Sequence, residues 1–417
     1  MLTGIIAEYN PFHKGHAHHI AAARAAGAGP IVAVMSGNFV QRGEPALLSK
    51  HRRAGMALAC GVDLVIELPL PWALSTAQNF AEGGTALLHA MGCVEALSFG
   101  SECADASLLQ GAARAADSPS LGPVLEGYLG QGLPFAAARE RAVAALFGRD
   151  TARVFTRPND TLAAEYLAAA GRLGADWSIL PVPRVGAAHD QAPPDTGQGG
   201  PDEGPEAADS SSGNGDFQSA AGIRALLRGG ETERALSHMP PAAADILRQA
   251  LREEGLIRPA RLESALLCRL RGMDRADFAR LPDISEGLEN RLYAAARQAV
   301  SLADFLALAK TKRYSLARLR RLTWAAFLEL DNRYFRTPPP YIRVLGFNRT
   351  GRAVLGELGR AAALPLVLRP RDLEGLDRRA LDVFQSECKA DDLFWLAADR
   401  PRPCGTDLTE PVIKAGI

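Results

Sequence analysis

His13 and His16 stand three residues apart across Gly15, in the stretch Asn10-Pro11-Phe12-His13-Lys14-Gly15-His16. If a helix begins here, both imidazoles leave its first turn in the same direction. Free backbone N–H groups and the positive end of the helix dipole gather at such a turn, which suits a phosphate, and a glycine lets the ligand come close to the backbone. Ring N–H donors at that point can stabilise charge developing on a triphosphate attacked at its α phosphorus, which makes His13 and His16 the candidate catalytic pair. Two surface histidines on an ordinary helix would have the same spacing. Zinc is the weaker alternative: His18 and His19 add nitrogen ligands, but no Cys or carboxylate completes a familiar spacing, so no metal ligands are assigned.

The surrounding pattern supplies a frame for that turn. Short apolar runs predict strands at 2–7, 31–35, 64–68 and 96–99, each followed by Gly, Pro or Asn, and apolar residues at spacings of three and four predict helices at 16–26, 49–59 and 76–91. Such alternation implies an α/β fold with a parallel, Rossmann-like sheet, whose ligands sit beyond the carboxyl ends of the strands. Pro11 stops the first strand, so the histidines fall at the first strand-to-helix turn. A further helix is expected at 161–172, with Asn159 as a candidate N-cap, and a further strand at 177–182. From Ser219 to about Arg333 the pattern is helical, interrupted near 283–290. Beyond it come a strand at 341–347, a helix at 351–362, a strand at 365–368 and a weakly patterned end after Asp399.

With 417 residues the chain exceeds one ordinary core at about 150 residues per domain. Three parts are expected: 1–232 around the candidate site, a helical region 233–335, and a small mixed α/β region 336–417. Between Asp190 and Asp216 there is no Val, Ile, Leu, Met, Phe, Trp, Tyr, Lys or Arg, while seven acids accompany many Gly, Pro and Ser, so a mobile acidic loop is expected at 190–216. Lys+Arg and Asp+Glu both number 47, so net charge excludes no partner and only local clustering can speak for nucleic acid. Six scattered cysteines without CxxC pairs read as reduced structural thiols. The start of the chain has no basic leader, and no apolar run approaches the roughly 18 residues of a membrane span. A cytoplasmic location without membrane attachment is expected.

His13, Gly15 and His16 match HxGH, the motif of the HIGH-motif nucleotidyltransferase superfamily. Longer stretches are more specific: Glu8 to His13, Met35 to Pro45, Gly61 to Pro69, Phe99-Gly100-Ser101-Glu102, Pro158-Asn159-Asp160, Arg184-Val185-Gly186-Ala187, Ser219-Ala220 with Ile223-Arg224, Glu286 to Asn290, and Lys312-Arg313-Tyr314. Together they resemble the bacterial tRNA(Met) cytidine acetate ligase family over nearly everything up to about residue 350. The resemblance implies a ligase that activates acetate with ATP to acetyl-adenylate and transfers the acetyl group to N4 of the wobble cytidine of elongator tRNA(Met). It implies ATP contacts from Ala7-Glu8-Tyr9-Asn10-Pro11-Phe12-His13-Lys14-Gly15-His16-Ala17-His18-His19-Ile20 and from Gly100, Asn159 and Arg184, with Mg²⁺ accompanying the nucleotide. Ser219 and Arg224 occupy the place of the superfamily's second phosphate motif. Ala221 departs from the family there, where a hydroxyl residue is usual, and Lys14 replaces an asparagine.

One segment suits RNA by its own composition. Lys310, Lys312, Arg313, Arg318, Arg320 and Arg321 fall within twelve acid-free residues, and Leu316, Leu319 and Leu322 recur at threes, giving a helix packed on one side and cationic on the other. Such a face can hold RNA phosphates, and Tyr314 can stack on an unpaired base. A solvated basic face has the same pattern. A small-molecule adenylyltransferase of cofactor biosynthesis and a catalytically silent RNA-binding protein remain the competing readings. Oligomeric state is not legible.

Overall fold

Apolar runs with turn residues at both ends become strands because their side chains can be covered on two faces at once. In the computed structural model, which describes residues 1–184, 217–285 and 287–417, the strands are β1 (Thr3–Ala7), β2 (Ile31–Ser36), β3 (Phe39–Val40), β4 (Glu44–Pro45), β5 (Leu64–Leu68), β6 (Ala96–Ser101), β7 (Ser178–Pro183), β8 (Ile342–Asn348), β9 (Leu366–Val367) and β10 (Ile413–Ala415). The main sheet runs β10-β8-β5-β2-β1-β6-β7, with β9 also on β8, while β3 and β4 form a separate antiparallel hairpin. Every pairing in the main sheet is parallel except β5 with β8, where Glu67 lies opposite Arg343. The expected strands at 2–7, 31–35, 64–68 and 96–99 are therefore all present, with ends moved by up to two residues.

Strand β2 shows how the core is divided. Val32 and Val34 join one apolar cluster, and Ile31, Ala33 and Met35 join another on the opposite face, as the two-residue period of a strand requires. The second face is covered by the helices Lys14–Ala25, Lys50–Ala59, Ala220–Arg228 and Pro241–Glu253, through residues such as Ile20, Met56, Ile223 and Leu247. The first face takes Ala77–Ala90, Ala106–Ala116 and Pro158–Arg172, together with Glu263–Gly272, Leu288–Gln298, Leu316–Phe327 and Arg378–Leu396.

Two findings depart from the sequence reading. Residues 336–417 build no sheet of their own: β8 inserts beside β5, and the weakly patterned end supplies β10, so the expected boundary at 336 does not divide the sheet. An apolar run shows that a strand will be buried but not which edge it will join. Secondly, Asn159 is not an N-cap. The helix begins at Pro158, whose missing N–H and fixed φ favour the first helical position, and Arg157 occupies the cap. The acidic stretch 190–216 lies outside the described residues.

Candidate active site

The ends of β1, β2 and β6 converge on one edge of the sheet, and the histidine turn follows β1. Tyr9 takes a left-handed backbone (φ 48°), which turns the chain sharply away from the strand. For a bulky residue such a conformation costs about 1–3 kcal/mol. Burial of the Tyr9 and Phe12 rings, 4.9 Å apart, offsets it. Three further residues fix the turn. Leu47 N–H donates to Asn10 Oδ1 (2.8 Å), and Arg224 Nη1 donates to Asn10 O (2.9 Å). Arg53, wholly buried, donates to the carbonyls of Glu8 (2.7 Å), Ser36 (3.1 Å), Leu48 (3.1 Å) and Gly37, so one guanidinium ties the loops after β1 and β2 together.

The histidines cap their own helix. Gly15 N–H donates to His13 Nδ1 (3.0 Å) and His13 N–H donates to His16 Nδ1 (3.2 Å), a reciprocal capping box built from imidazoles in place of the usual hydroxyl and carboxylate. The rings stack with centroids 3.8 Å apart and planes inclined by 26°. A nitrogen that accepts a hydrogen bond carries no proton, so each neutral ring bears its N–H on Nε2. Gly15 is required for this arrangement, since a Cβ there would stand 2.8 Å from His13 Cε1. Burial, helped by the charges of Arg184 and Arg224, pushes the His13 pKa down to about 3. Burial and then neighbouring His13, His19 and Arg184 hold His16 well below its ordinary value. His19 Nε2 lies 2.9 Å from Ser98 Oγ, which itself donates to Leu180 O, so His19 is the donor and braces the helix against β6.

Neutral imidazoles make stability acid-sensitive, with a definite sign. Burial lowers His13 and His51 to about 3 and His19 to about 4, whereas an unfolded histidine titrates near 6.5. Below 6.5 the unfolded chain therefore takes up protons that the folded one refuses. The stabilisation is complete above that pH and is lost as pH falls toward the folded values, at up to about 1.4 kcal/mol per pH unit for each ring. Urea midpoints measured at pH 8, 7, 6 and 5 are expected to hold between 8 and 7 and fall steeply below 6.5. Equal midpoints at pH 7 and 5 would contradict these environments.

At the end of β6, two motifs far apart in sequence lock onto each other. Asp160, fully buried, accepts from Glu102 N–H (2.8 Å), from Cys103 N–H (3.2 Å) and from the Ser101 hydroxyl. Glu102 in turn accepts from Asn159 Nδ2 (2.6 Å), Asn159 N–H (3.3 Å) and Asp160 N–H (2.9 Å). Arg184, just past β7, donates its backbone N–H to Ser101 O (3.1 Å). A Cβ on Gly100 would meet only Arg184 Cγ, at an ordinary 3.6 Å, so protein packing does not demand a glycine there. Gly100, Asn159 and Arg184 thus share one strand end, next to the strand that carries the histidines.

Ser219 and Arg224 are placed differently from an open phosphate site. Ser219 Oγ caps its helix by accepting from Gly222 N–H (3.1 Å). Arg224 is buried, holding Asn10 O and pairing with Glu44 at 3.1 Å, and its Nε has no partner among the described residues. In this arrangement Arg224 braces the histidine turn through Asn10.

The basic segment is not one uniform face. Lys310, Lys312 and Arg313 are exposed. Arg318 donates to Asp283 O (2.6 Å) and to Ser285 Oγ (2.9 Å) and pairs with the Asp283 carboxylate at 3.2 Å, and Arg321 lies 3.9 Å from the same carboxylate. Arg320 is partly buried, its Cβ packed beside Gly43 of the β3–β4 hairpin. Tyr314 is only 6% exposed, so it is not available to stack on a base; tertiary packing took the ring that the sequence pattern left on the surface. The same packing brings the helix near the site: Arg321 reaches Gln41 O (3.4 Å), and Gln41 N–H donates to Glu8 Oε1 (2.8 Å).

The class defined by this sheet and turn is that of the HIGH nucleotidyl transferases, and residues 1–198 and 203–406 match the HIGH Nucleotidyl Transferase family. Within that class the chain belongs to the tRNA(Met) cytidine acetate ligase family. It is 32% identical over 421 residues to the tRNA(Met) cytidine acetate ligase of Thermoanaerobacter sp. strain X514, covering 99% of both chains, and 36% identical over 375 residues to that of Thermotoga maritima, covering 86% of this chain and 85% of the other. The crystal structure of Thermotoga maritima TmcAL bound with alpha-thio ATP superposes with a TM-score of 0.87 at 31% identity over 99% of each chain, and the apo form does so with 0.88.

Proposed function

We propose that this chain activates acetate with ATP and acetylates N4 of the wobble cytidine of elongator tRNA(Met). The observation that carries the proposal is the stacked pair His13 and His16, each with Nδ1 held by a backbone N–H and its single N–H on Nε2. A carboxylate oxygen of acetate attacks the α phosphorus, the bond to the bridging oxygen breaks and pyrophosphate leaves. Neutral donors fixed before the reaction favour the charge that builds on those oxygens. The N4 amine of cytidine then attacks the acetyl carbonyl, AMP departs with the bonding pair, and the amine loses its proton. Gly100, Asn159 and Arg184 receive the rest of the nucleotide. Magnesium, with its preference for hard anionic oxygens, would come with the nucleotide and offset its phosphate charge; among the described residues no three His, Cys, Asp or Glu side chains are grouped to hold a metal. Such an enzyme works where tRNA is, in the cytoplasm. Among the described residues no helix is long and apolar enough to cross a membrane.

Incubation with ATP, labelled acetate and unmodified tRNA, followed by nucleoside analysis, tests the whole proposal. Labelled N4-acetylcytidine is expected. Failure to release pyrophosphate in response to acetate would leave a silent RNA-binding protein, and release without any labelled nucleoside would refute the acceptor.

The exposed end of the basic segment separates the two half-reactions. Lys310→Glu with Lys312→Glu is expected to weaken tRNA binding and acetyl transfer while leaving acetate-dependent pyrophosphate release intact. Every RNA phosphate that is no longer neutralised should flatten the log-log salt dependence of binding by about 0.7 to 0.9. An unchanged salt slope would show that the RNA binds elsewhere. Reversing Arg318 and Arg321 is a poorer test, since it would set new carboxylates against Asp283 and disturb the fold.

A further inference from the structure

An ionised carboxylate can only accept, and Glu102 accepts from three donors: Asn159 Nδ2, Asn159 N–H and Asp160 N–H. The first of these settles how the Asn159 carboxamide is turned. Its NH₂ faces Glu102 at 2.6 Å, so Oδ1 faces away, and Oδ1 has no hydrogen-bond partner among the described residues. Asn159 is only partly buried and shares the β6 end with Gly100 and Arg184. In the order β1-β6-β7, that end lies one strand over from the histidines that receive the phosphates. A nucleotide with its phosphates at His13 and His16 therefore brings its nucleoside end toward Asn159.

We propose that Glu102 is a positioning residue that sets the base selectivity of the site, by forcing Asn159 to present an acceptor to the 6-amino group of adenine. This rests on the assignment of the nucleotide site above. Adenine offers a donor at its 6-position, whereas hypoxanthine and guanine carry an oxygen there, which would face Asn159 Oδ1 with no proton between them. A site built around one hydrogen-bonding sense rejects the opposite sense because a polar pair is left unsatisfied. Asp160 completes the device from the other side: its grip on the N–H groups of Glu102 and Cys103 keeps the Glu102 backbone in place.

Calorimetric binding of ATP, ITP and 2′-deoxy-ATP without acetate tests this in the unaltered chain and in Glu102→Gln and Asn159→Ala. The unaltered chain is expected to favour ATP over ITP by roughly tenfold or more. With Glu102→Gln, the new carbonyl keeps the Oε1 place, where it still accepts from Asn159 N–H and Nδ2, and the new NH₂ opposes Asp160 N–H instead, so Asn159 keeps its orientation and the preference for ATP should persist. Asn159→Ala keeps both backbone bonds to Glu102 and should bring the ATP to ITP ratio close to one. It therefore decides the matter even if a melting curve shows that Glu102→Gln is poorly folded. If Asn159→Ala weakens ATP and ITP equally, or if it acts through 2′-deoxy-ATP and so reports on the ribose, the inference is overturned. No binding of any nucleotide to the unaltered chain would overturn the nucleotide site itself, a failure distinct from binding without base selectivity.

Discussion

His16→Ala is expected to reduce acetate-dependent pyrophosphate release by about two orders of magnitude or more, the usual cost of removing one preorganised donor from a developing anion. His16 does two jobs in this reading, and the variant removes both: its Nδ1 accepts from His13 N–H, and its Nε2–H is the proposed donor to the phosphate. His16→Asn separates them, because the asparagine carbonyl can still accept from His13 N–H while its amide falls short of the phosphate. Both variants should be slow, with His16→Asn closer to the parent in melting temperature. Near-normal release from either would refute the assignment of this turn. Because burial holds both His13 and His16 below the ordinary histidine range, both are neutral between pH 6.5 and 8 and their protonation should not limit the rate there.

The largest expected loss of stability lies in the ion cluster between β5 and β8. Lys50 Nζ, buried, sits 2.7 Å from both Glu67 and Asp407, and Arg343 lies 2.7 Å from Asp407 and 3.1 Å from Glu67. Glu387 and Asp391 close the cluster; burial holds the first well above the carboxylate range, so it keeps its proton, and raises the second to about 7, so it is about half protonated at neutral pH and the charges nearly balance. Lys50→Met is expected to destabilise the fold by roughly 3–5 kcal/mol, because it strands buried carboxylates. Chemical denaturation measures this. Adding Glu67→Gln to Lys50→Met should recover part of the loss, which would identify the cause as uncompensated charge. A loss below about 1 kcal/mol would mean that water reaches the cluster.

Much of this architecture was legible because it is local. Strands β1, β2, β5 and β6 are continuous apolar runs with turn residues after them, and the histidine turn needs only residues 13, 15 and 16. Relations set by sheet order were not legible. Nothing in Phe99-Gly100-Ser101-Glu102 says that its acid will clamp Asn159, and nothing in the helix around Arg53 says that it will gather four carbonyls. The basic segment misleads in the same way: its charges are evident, but Asp283, which engages two of them, is known only from the fold. Ser219 and Arg224 were recognisable as a pair, yet the inward direction of the arginine depends on the hairpin that supplies Glu44.

The insertion of β8 beside β5 also bears on how the molecule is made. About 270 residues separate Leu68 from Ile342, and at roughly 5–20 residues per second the ribosome needs between about fifteen seconds and a minute to supply them. During that interval the nascent sheet has an unpaired edge at β5, and Glu67 has emerged without Arg343 or Asp407. An open strand edge is a template for pairing with other chains. Synthesis therefore leaves the first strands of the sheet waiting for the last, and any interruption of translation before residue 348 releases a product with an adhesive edge.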